Sequence, residues 1–287
     1  MTSLFQDALG RVETSEDQID ATRMAQAAAM LGLGADGIAR LSKEGASLPP
    51  MFHLFFGNNI SDAGLLDHDG HEELGRFIPD VTTAGPYHRR MWAAGKISFD
   101  GSHKTGEGVK RTSTLRDVTA KEGRTGKLVF VTVDRLMESA SGQTREERTI
   151  VYREKSTTPA PDSLALAPTE NLHEVAHWTP DTIQLFRFSS LTWNAHRIHY
   201  DLDHCRDDEG YPDIITHGPF TALMLANLTA DGLAFTGAPS PLESFSFRGT
   251  QALYANRTVS LALSADSTIA EARNHMGQQA MTATRGF

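Results

Sequence analysis

The chain has 287 residues, of which 39% are hydrophobic and 22% charged, and its formal net charge at pH 7 is −9. This composition is typical of a globular protein with room for two domains of ordinary size. The net negative charge, without a local stripe of basic residues, argues against nucleic acid as a partner.

The N-terminal segment lacks the basic and apolar regions of a secretory signal, and no apolar stretch reaches the roughly 18 residues of a membrane helix. The single cysteine, Cys205, excludes an intrachain disulfide and suits a reducing compartment. We therefore expect a soluble cytoplasmic protein with no membrane partner. Cys205 follows His204, which leaves a catalytic thiol open as a minor alternative.

The first predicted element is a helix over residues 20–31, which are rich in Ala, Met and Leu and precede Gly32. Residues 57–90 then form a long irregular segment punctuated by glycine and proline. Within it, residues 67–73 read DHDGHEE. We interpret this run as a solvated acidic loop, because its spacing matches no standard calcium loop; a metal site is the alternative.

Residues 92–154 alternate polar and apolar side chains in strand-length units separated by glycine-containing turns, which predicts a mostly antiparallel sheet. Residues 155–170 are rich in Pro, Ser and Thr, a composition typical of a linker. We therefore expect an N-terminal domain over 1–156, a linker over 157–171 and a C-terminal domain over 172–287.

The C-terminal half is expected to be a shorter version of the first. The segment 184–193 reads as a strand with Phe186 and Phe188 on one side, and a polar stretch follows it. A helix begins near Pro219 and ends before Gly232, and four strands complete the chain. Helices packed against antiparallel strands define an α+β fold.

The densest polar cluster in the sequence lies between that strand and that helix. It contains Asn194, His196, His199, Tyr200, Asp201, Asp203, His204 and Cys205. Histidine exchanges protons near neutral pH, so His199 is the candidate acid–base residue. His217 and Gly218 come next, where a helix N-terminus presents free N–H groups that can stabilise negative charge on a carbonyl oxygen. A simple helix cap is the alternative interpretation of these two residues.

The runs FRFSSLTWNAHRIHYD and EGYPDIITHGPF resemble the active-site segment of MaoC-like acyl-thioester hydratases. The branch that they resemble contains type 2 hydroxyacyl-thioester dehydratases and mesaconyl-C4-CoA hydratases, and the resemblance extends over about residues 48–265. It implies a double hot dog fold, in which each half is a long helix wrapped by an antiparallel sheet. It also implies hydration or dehydration of an acyl-CoA thioester without metal or cofactor, in a monomeric double hot dog or a homodimer.

The resemblance assigns roles to individual residues. His199 matches the family's catalytic histidine, Asn194 occupies the position of its aspartate, and Gly218 matches the glycine whose N–H faces the thioester oxygen. An amide cannot act as a general base, so we expect His199 to transfer the proton and Asn194 to position water. His196, Tyr200, Asp201 and His217 are supporting candidates, although Asp201 is better placed to cap the short helix that follows it.

Substrate binding is expected to involve arginines and an aromatic residue. A carboxylate on the acyl group would call for a bidentate arginine, with Arg197, Arg90 and Arg89 as candidates. Arg248 and Arg257 are candidates for the CoA phosphates, and Trp193 for the acyl pocket. The preferred acyl group is that of mesaconyl-C4-CoA, and a straight-chain 3-hydroxyacyl thioester is the alternative.

Three other functions stay open at this point. A metal-dependent hydrolase would use His196, His199, Asp201 and His204, but their spacing matches no established zinc motif. A hot dog thioesterase would release free CoA. A non-catalytic acyl-CoA-binding module is favoured by Asn194 and disfavoured by His199 beside Gly218.

Overall fold

The computed structural model describes residues 5–85, 87–123, 126–154, 166–236 and 242–286. Its described strands form one antiparallel sheet in the order β1-β3-β4-β5-β2-β7-β10-β9-β8-β6. These strands are β1 (Val12–Gln18), β2 (Tyr87–Gly101), β3 (Gly108–Gly123), β4 (Gly126–Glu138), β5 (Gly142–Glu154), β6 (His173–Trp178), β7 (Ser244–Gly249), β8 (Val259–Leu263), β9 (Ile269–Arg273) and β10 (Gln279–Gly286).

The two halves of the sheet share one strand order. Reading outward from the middle of the sheet, β2-β5-β4-β3-β1 on one side corresponds to β7-β10-β9-β8-β6 on the other. The halves meet where β2 pairs with β7, from Ala94 opposite Arg248 to Ser98 opposite Ser244. The similarity of the halves expected from the sequence is therefore found in their topology.

Most of the predicted linker lies outside the described residues. The described part is attached to the C-terminal half, because Leu166 bridges Gln279 and the Thr169 N–H donates to the Glu271 carboxylate at 3.0 Å. The boundaries of the two expected domains stay a prediction.

Four α-helices are found in the described residues: α1 (Ala21–Met30), α2 (Gly34–Leu41), α3 (Thr182–Thr192) and α4 (Gly218–Asp231). Asp20 caps α1 by accepting a hydrogen bond from the Arg23 N–H at 2.8 Å, and the predicted helix over 20–31 is found. Helix α4 has Pro219 in its first turn and ends at Gly232 in the left-handed region, again as predicted. The N-terminal half has two short helices in place of the expected long one.

The predicted strand over 184–193 is wrong, because this segment forms α3. Asp181 accepts a hydrogen bond from the Gln184 N–H at 2.7 Å and so begins the helix. Leu185 and Phe188 face the core at helical spacing, whereas Phe186 is 63% exposed. An alternating apolar pattern had suggested that both phenylalanines share a side, and the helical period separates them.

The main hydrophobic core lies between the helices and the sheet. Phe188 of α3 stacks on Phe220 of α4 at a centroid distance of 4.5 Å, and Phe52 and Phe55 join the same cluster. A second cluster lines the N-terminal strands around Val129, Val131 and Val133. None of the helices described is long and apolar enough to cross a membrane.

Candidate active site

A cavity of about 1230 Å³ is lined by residues of both halves. The C-terminal half contributes Asn194, His199 and Gly218, and the N-terminal half contributes residues of β2 to β5 and of the segment between α2 and β2. The residues that the sequence singled out for catalysis are therefore brought together in one chamber. A volume of this size suits a large ligand.

The segment from Trp193 to His199 is held by its own backbone. Trp193 ends α3 in the left-handed region with φ of 52°, which turns the chain sharply. The Asn194 side-chain oxygen then accepts a hydrogen bond from the His196 N–H at 3.0 Å. A short 3-10 turn over Arg197–His199 follows, and places the buried rings of His196 and His199 5.5 Å apart.

His199 is oriented as a base. Its Nδ1 lies 2.8 Å from the Ile215 carbonyl oxygen, which can only accept, so Nδ1 carries the proton and Nε2 keeps a free lone pair. Burial lowers the pKa of His199 to about 4. The ring is therefore neutral at physiological pH and ready to accept a proton.

His217 and Gly218 form the start of α4 as expected. His217 is fully buried, its Nε2 lies 2.8 Å from the Ser189 hydroxyl, and its ring stacks on His199 at 3.6 Å. Burial lowers the pKa of His217, so the stacked ring is also neutral. Gly218 lines the cavity next to it as the first residue of the helix, where N–H groups lack intrahelical partners.

Four of the six expected substrate-binding residues line the cavity, and Arg197 and Arg248 do not. Arg90 and the exposed Trp193 are part of its wall. Arg197 does not line it, because its guanidinium pairs with Asp201 at 2.7 Å and donates to the His68 carbonyl at 3.1 Å. Arg248 is exposed on β7 beside a separate shallow groove. The structure thus gives these two arginines structural or surface positions.

The other arginine candidates also have partners. Arg89 is buried, pairs with Glu209 at 3.4 Å and packs on the Tyr211 ring. Arg257 lies 3.7 Å from Asp213 and covers the Tyr254 ring at the cavity wall.

The remaining polar candidates have local roles. Asp201 caps the short helix after it by accepting from the His204 N–H at 3.0 Å, as expected. Tyr200 lines the cavity and donates from its hydroxyl to the Ala195 carbonyl. The Cys205 thiol is buried and donates to the Ile198 carbonyl, and burial raises its pKa to about 11. A thiol that remains protonated at neutral pH is a poor nucleophile.

The acidic loop at 67–73 is the main residue group that the sequence interpretation misplaced. Asp67 and His68 are exposed as expected, but the side chains of Asp69 and His71 are only 13% and 20% exposed. His71 lines the cavity, and its ring lies 4.0 Å from that of His196. No spacing rule predicted this contact, because the two histidines are 125 positions apart (196 − 71).

Asp69, His71 and His196 present donor atoms that lie within 4.8 Å of one another, a spacing that could hold a cation. Asp69 Oδ2 and His71 Nδ1 already share a hydrogen bond of 2.9 Å. A proton between these two atoms satisfies both without an ion. The set differs from the histidines considered for a hydrolase, since it includes neither His199 nor His204.

The sequence interpretation also missed the inward-facing arginines of the N-terminal strands. Arg135 continues the inward series Val129, Val131 and Val133 of β4, and it lines the cavity together with Arg111 and Arg148. Burial lowers the pKa of Arg135, and the charges of Arg148 and Arg111 lower it further. Continuation of the valine alternation into an arginine was the available signal.

These arginines differ in how they are held. Arg111 donates to the His53 carbonyl and the Asn58 side chain, while Arg148 pairs with Glu146 at 2.8 Å and covers the Trp92 ring at 3.9 Å. The Nε atom of Arg135 has no hydrogen-bond partner among the described residues. This part of the cavity is therefore suited to an anionic group.

Comparisons with known proteins agree with this geometry. Residues 51–255 match the family model for hydroxyacyl-thioester dehydratase type 2. The mesaconyl-C(4)-CoA hydratase of Chloroflexus aurantiacus is 36% identical over 250 residues, covering 86% of this chain and 84% of that protein.

Solved structures support the fold. A MaoC-like dehydratase superposes with a TM-score of 0.66 at 12% identity, covering 99% of this chain and 100% of the other. A Mycobacterium tuberculosis protein described as having a double hotdog fold superposes with a TM-score of 0.57 at 11% identity, covering 96% and 95%. The expected double hot dog, α+β in class, is confirmed, and the chain belongs to the hydroxyacyl-thioester dehydratase type 2 family.

Proposed function

We propose that this protein is a hydro-lyase that adds water to an α,β-unsaturated acyl-CoA thioester, or removes it from the 3-hydroxy product. The observation that carries the proposal is a neutral His199 with a free Nε2, in the same chamber as the Gly218 N–H at the start of α4. A base and an N–H donor are the two groups that chemistry through a thioester enolate requires.

In this proposal the thioester oxygen accepts a hydrogen bond from the Gly218 N–H. Negative charge that develops on this oxygen is stabilised there by the N–H and by the partial positive charge of the helix start. His199 Nε2 takes a proton from water as the water oxygen attacks Cβ. The side-chain oxygen of Asn194 accepts a hydrogen bond from the His196 N–H, so the NH₂ group of Asn194 is left to position a water or substrate oxygen.

For the acyl group, we propose a short dicarboxylic chain such as that of mesaconyl-C4-CoA. Arg135 supports this preference because it is a cation at the cavity wall whose buried Nε has no hydrogen-bond partner among the described residues. Arg90 faces the same chamber. A carboxylate placed between the two would be paired, whereas a straight-chain acyl group would leave the charges unpaired.

The test is the loss of the enoyl-thioester ultraviolet band with mesaconyl-C4-CoA and with crotonyl-CoA. We expect the wild type to turn over the dicarboxylic thioester faster. His199→Gln should lower kcat roughly a hundredfold or more, as is typical when an acid–base group is lost. His177→Gln is the matched control, because His177 is 60% exposed on β6 and pairs with Glu174.

The other functions give different results in the same assay. Release of free CoA from a saturated acyl-CoA would identify a thioesterase, and tight binding without turnover would identify a non-catalytic module. Activity that disappears with a chelator and returns with a transition metal would identify a metal-dependent enzyme. Equal turnover by His199→Gln and wild type would remove His199 from the mechanism.

A further inference from the structure

The loop that carries Asp69 and His71 is fastened to the catalytic segment. The Arg197 N–H donates to the Asp69 carbonyl at 2.9 Å, and the Arg197 guanidinium donates to the His68 carbonyl at 3.1 Å. Gly70 has φ of +87°, and a Cβ there would lie 1.9 Å from the Ala195 carbonyl oxygen. Such close backbone contact fixes the loop against the residues between Asn194 and His199.

The His71 side chain is oriented by Asp69. One carboxylate oxygen of Asp69 accepts from the His71 N–H at 2.8 Å, and the other lies 2.9 Å from His71 Nδ1. Burial opposes ionisation of Asp69, but the hydrogen bond and charge of His71 lower its pKa, so Asp69 is a carboxylate. Nδ1 therefore donates to Asp69, and Nε2 is the nitrogen left for a ligand in the cavity that His71 lines.

His199 has a different environment. Its Nδ1 donates to a backbone carbonyl, which stabilises an imidazolium less than a carboxylate does. Asn194 brings no charge to the site. Asp69, whose side chain is 13% exposed, is thus a carboxylate that can stabilise a protonated histidine at this end of the cavity, and it acts on His71.

We propose that Asp69 and His71 form a second acid–base pair of this active site, with His71 exchanging the proton at the acyl Cα while His199 exchanges the proton of water at Cβ. The inference rests on the proposed hydratase function. It adds a catalytic residue from the N-terminal half and makes Asp69 its positioning residue.

The steps balance in protons and electrons. Hydration starts from the molecules in which His71 is an imidazolium beside the Asp69 carboxylate and His199 is neutral. Because the pKa of His71 is lowered, these molecules are a minor fraction at neutral pH, and the fraction grows as the pH falls toward the His71 pKa. His199 Nε2 takes a proton from water, the water oxygen bonds to Cβ, and the π electrons move into a thioester enolate at the Gly218 N–H. The enolate then takes the Nε2 proton of His71 at Cα. Water in the cavity returns the proton of His199 to His71, and elimination follows the reverse path.

The pH profile is one readout of this pair. The pKa of His71 is lowered overall, first by burial and then by the charge of Arg90, although Asp69 and Glu72 raise it in part. His196 and His199 are the other titratable groups beside it. Only protonated His71 starts hydration, so kcat/KM for hydration should decline as pH rises through the His71 pKa. Asp69→Asn should move this decline to lower pH, because the neutral amide no longer favours the imidazolium.

The decisive experiment separates the two proton transfers. Saturated thioesters, succinyl-CoA and butyryl-CoA, are incubated with enzyme in D₂O, and deuterium at Cα is measured by mass spectrometry. This exchange needs a Cα base and the thioester oxygen site, but no water at Cβ. We expect the wild type to catalyse exchange, His199→Gln to retain it within several-fold, and His71→Gln to lose roughly a hundredfold or more.

His68→Gln is the matched control, because His68 belongs to the same loop but is 63% exposed and pairs with Asp67. It should retain both exchange and hydration. Calorimetric binding of butyryl-CoA to His71→Gln checks that the cavity is intact. If His71→Gln loses binding, Asp69→Asn takes its place: it should bind normally and lose exchange.

Several outcomes overturn the inference. These are exchange that survives in His71→Gln, exchange that disappears in His199→Gln alone, and the absence of exchange in the wild type. Binding of one metal ion per chain that is lost when either Asp69 or His71 is replaced would also overturn it. Wild-type hydration that continues in any of these cases leaves the proposed hydratase standing, whereas a wild type without any hydration removes the function itself.

Discussion

The strands β2 to β5 of the N-terminal half have 13 to 16 residues, while β7 to β10 of the C-terminal half have five to eight. The short strands bury small side chains such as Ala270, Ala272 and Ala283 against the core that contains α4. The long strands instead carry inward arginines to the cavity. The two halves share one topology but contribute differently. The C-terminal strands pack against the core beneath α4, and the N-terminal strands form a charged wall of the cavity.

Of the changes considered below, replacement of Arg135 in the charged wall should have the largest effect on kcat/KM. Arg135→Met nearly keeps the side-chain volume but removes a cation from the cavity wall, so kcat/KM for mesaconyl-C4-CoA should fall about 10- to 100-fold, the effect of losing a charge-assisted hydrogen bond. Turnover of crotonyl-CoA should change little. Arg248→Met, on the exposed face of β7, is the control and should leave both substrates unaffected.

The same variant provides a stability measurement. Because Arg135 lies near the charges of Arg111 and Arg148, its removal relieves repulsion, and the free energy of unfolding in urea should be unchanged or higher. Equal losses of activity with both thioesters would place Arg135 at the CoA moiety instead of at the acyl carboxylate.

The second test is the pH dependence of kcat/KM that titration of His199, in the C-terminal half, should produce. His199 has a lowered pKa of about 4, so it is a neutral base above that pH and a protonated, inactive base below it. We expect kcat/KM to fall about tenfold for each pH unit below about 4. Circular dichroism at each pH separates this titration from acid unfolding. A decline that begins already near pH 6.5 would mean that burial does not lower the His199 pKa.

Two glycines of the segment between α2 and β2, Gly70 and Gly75, test whether the contact of this segment with Ala195 supports stability and catalysis. Gly70 and Gly75 both have positive φ, but a Cβ at Gly70 would meet the Ala195 carbonyl, whereas nothing lies within 4 Å of one at Gly75. Gly70→Ala should therefore lower both Tm and kcat, the latter several-fold. Gly75→Ala carries only the backbone strain, about 1–3 kcal/mol, and should leave kcat unchanged. Similar kcat values in both variants would show that the loop does not support catalysis.

The smallest effect is expected at Cys205. Its buried thiol contacts the Ile198 carbonyl and faces a small apolar cluster with Ile198 and Ile215. Cys205→Ala should keep kcat within about twofold and lower stability by roughly 1 kcal/mol, because it leaves a small cavity. A large loss of kcat would instead support the alternative in which Cys205 is a catalytic thiol.

The sequence pointed to those residues of the candidate site that lie close together in the chain. Asn194, His199 and Gly218 were identified from one segment, and the helix caps at Asp20, Pro219 and Gly232 follow from local rules. The helix α3 was mistaken for a strand because short apolar segments fit both periods. Here the cap at Asp181 and the burial of Phe188 decided the outcome.

The contributions of the N-terminal half could not be predicted in the same way. His71 meets His196 only because a loop crosses from one half to the other, and Arg135 lines the cavity as part of β4, which pairs with β3 and β5. Both depend on long-range contacts that local spacing does not encode. From the sequence, His71 was assigned to a solvated acidic loop and Arg135 to a strand with no functional role.

The pairing of β2 with β7 makes the chain equivalent to two subunits joined by a tether. Backbone pairs from Ala94–Arg248 to Ser98–Ser244 connect the halves, and the loop at Asp69 crosses to the catalytic segment. A tether raises the effective concentration of one partner at the other far above that of free subunits. Each half can therefore differ in sequence without losing its counterpart, as the arginine-bearing strands and the alanine-rich strands do.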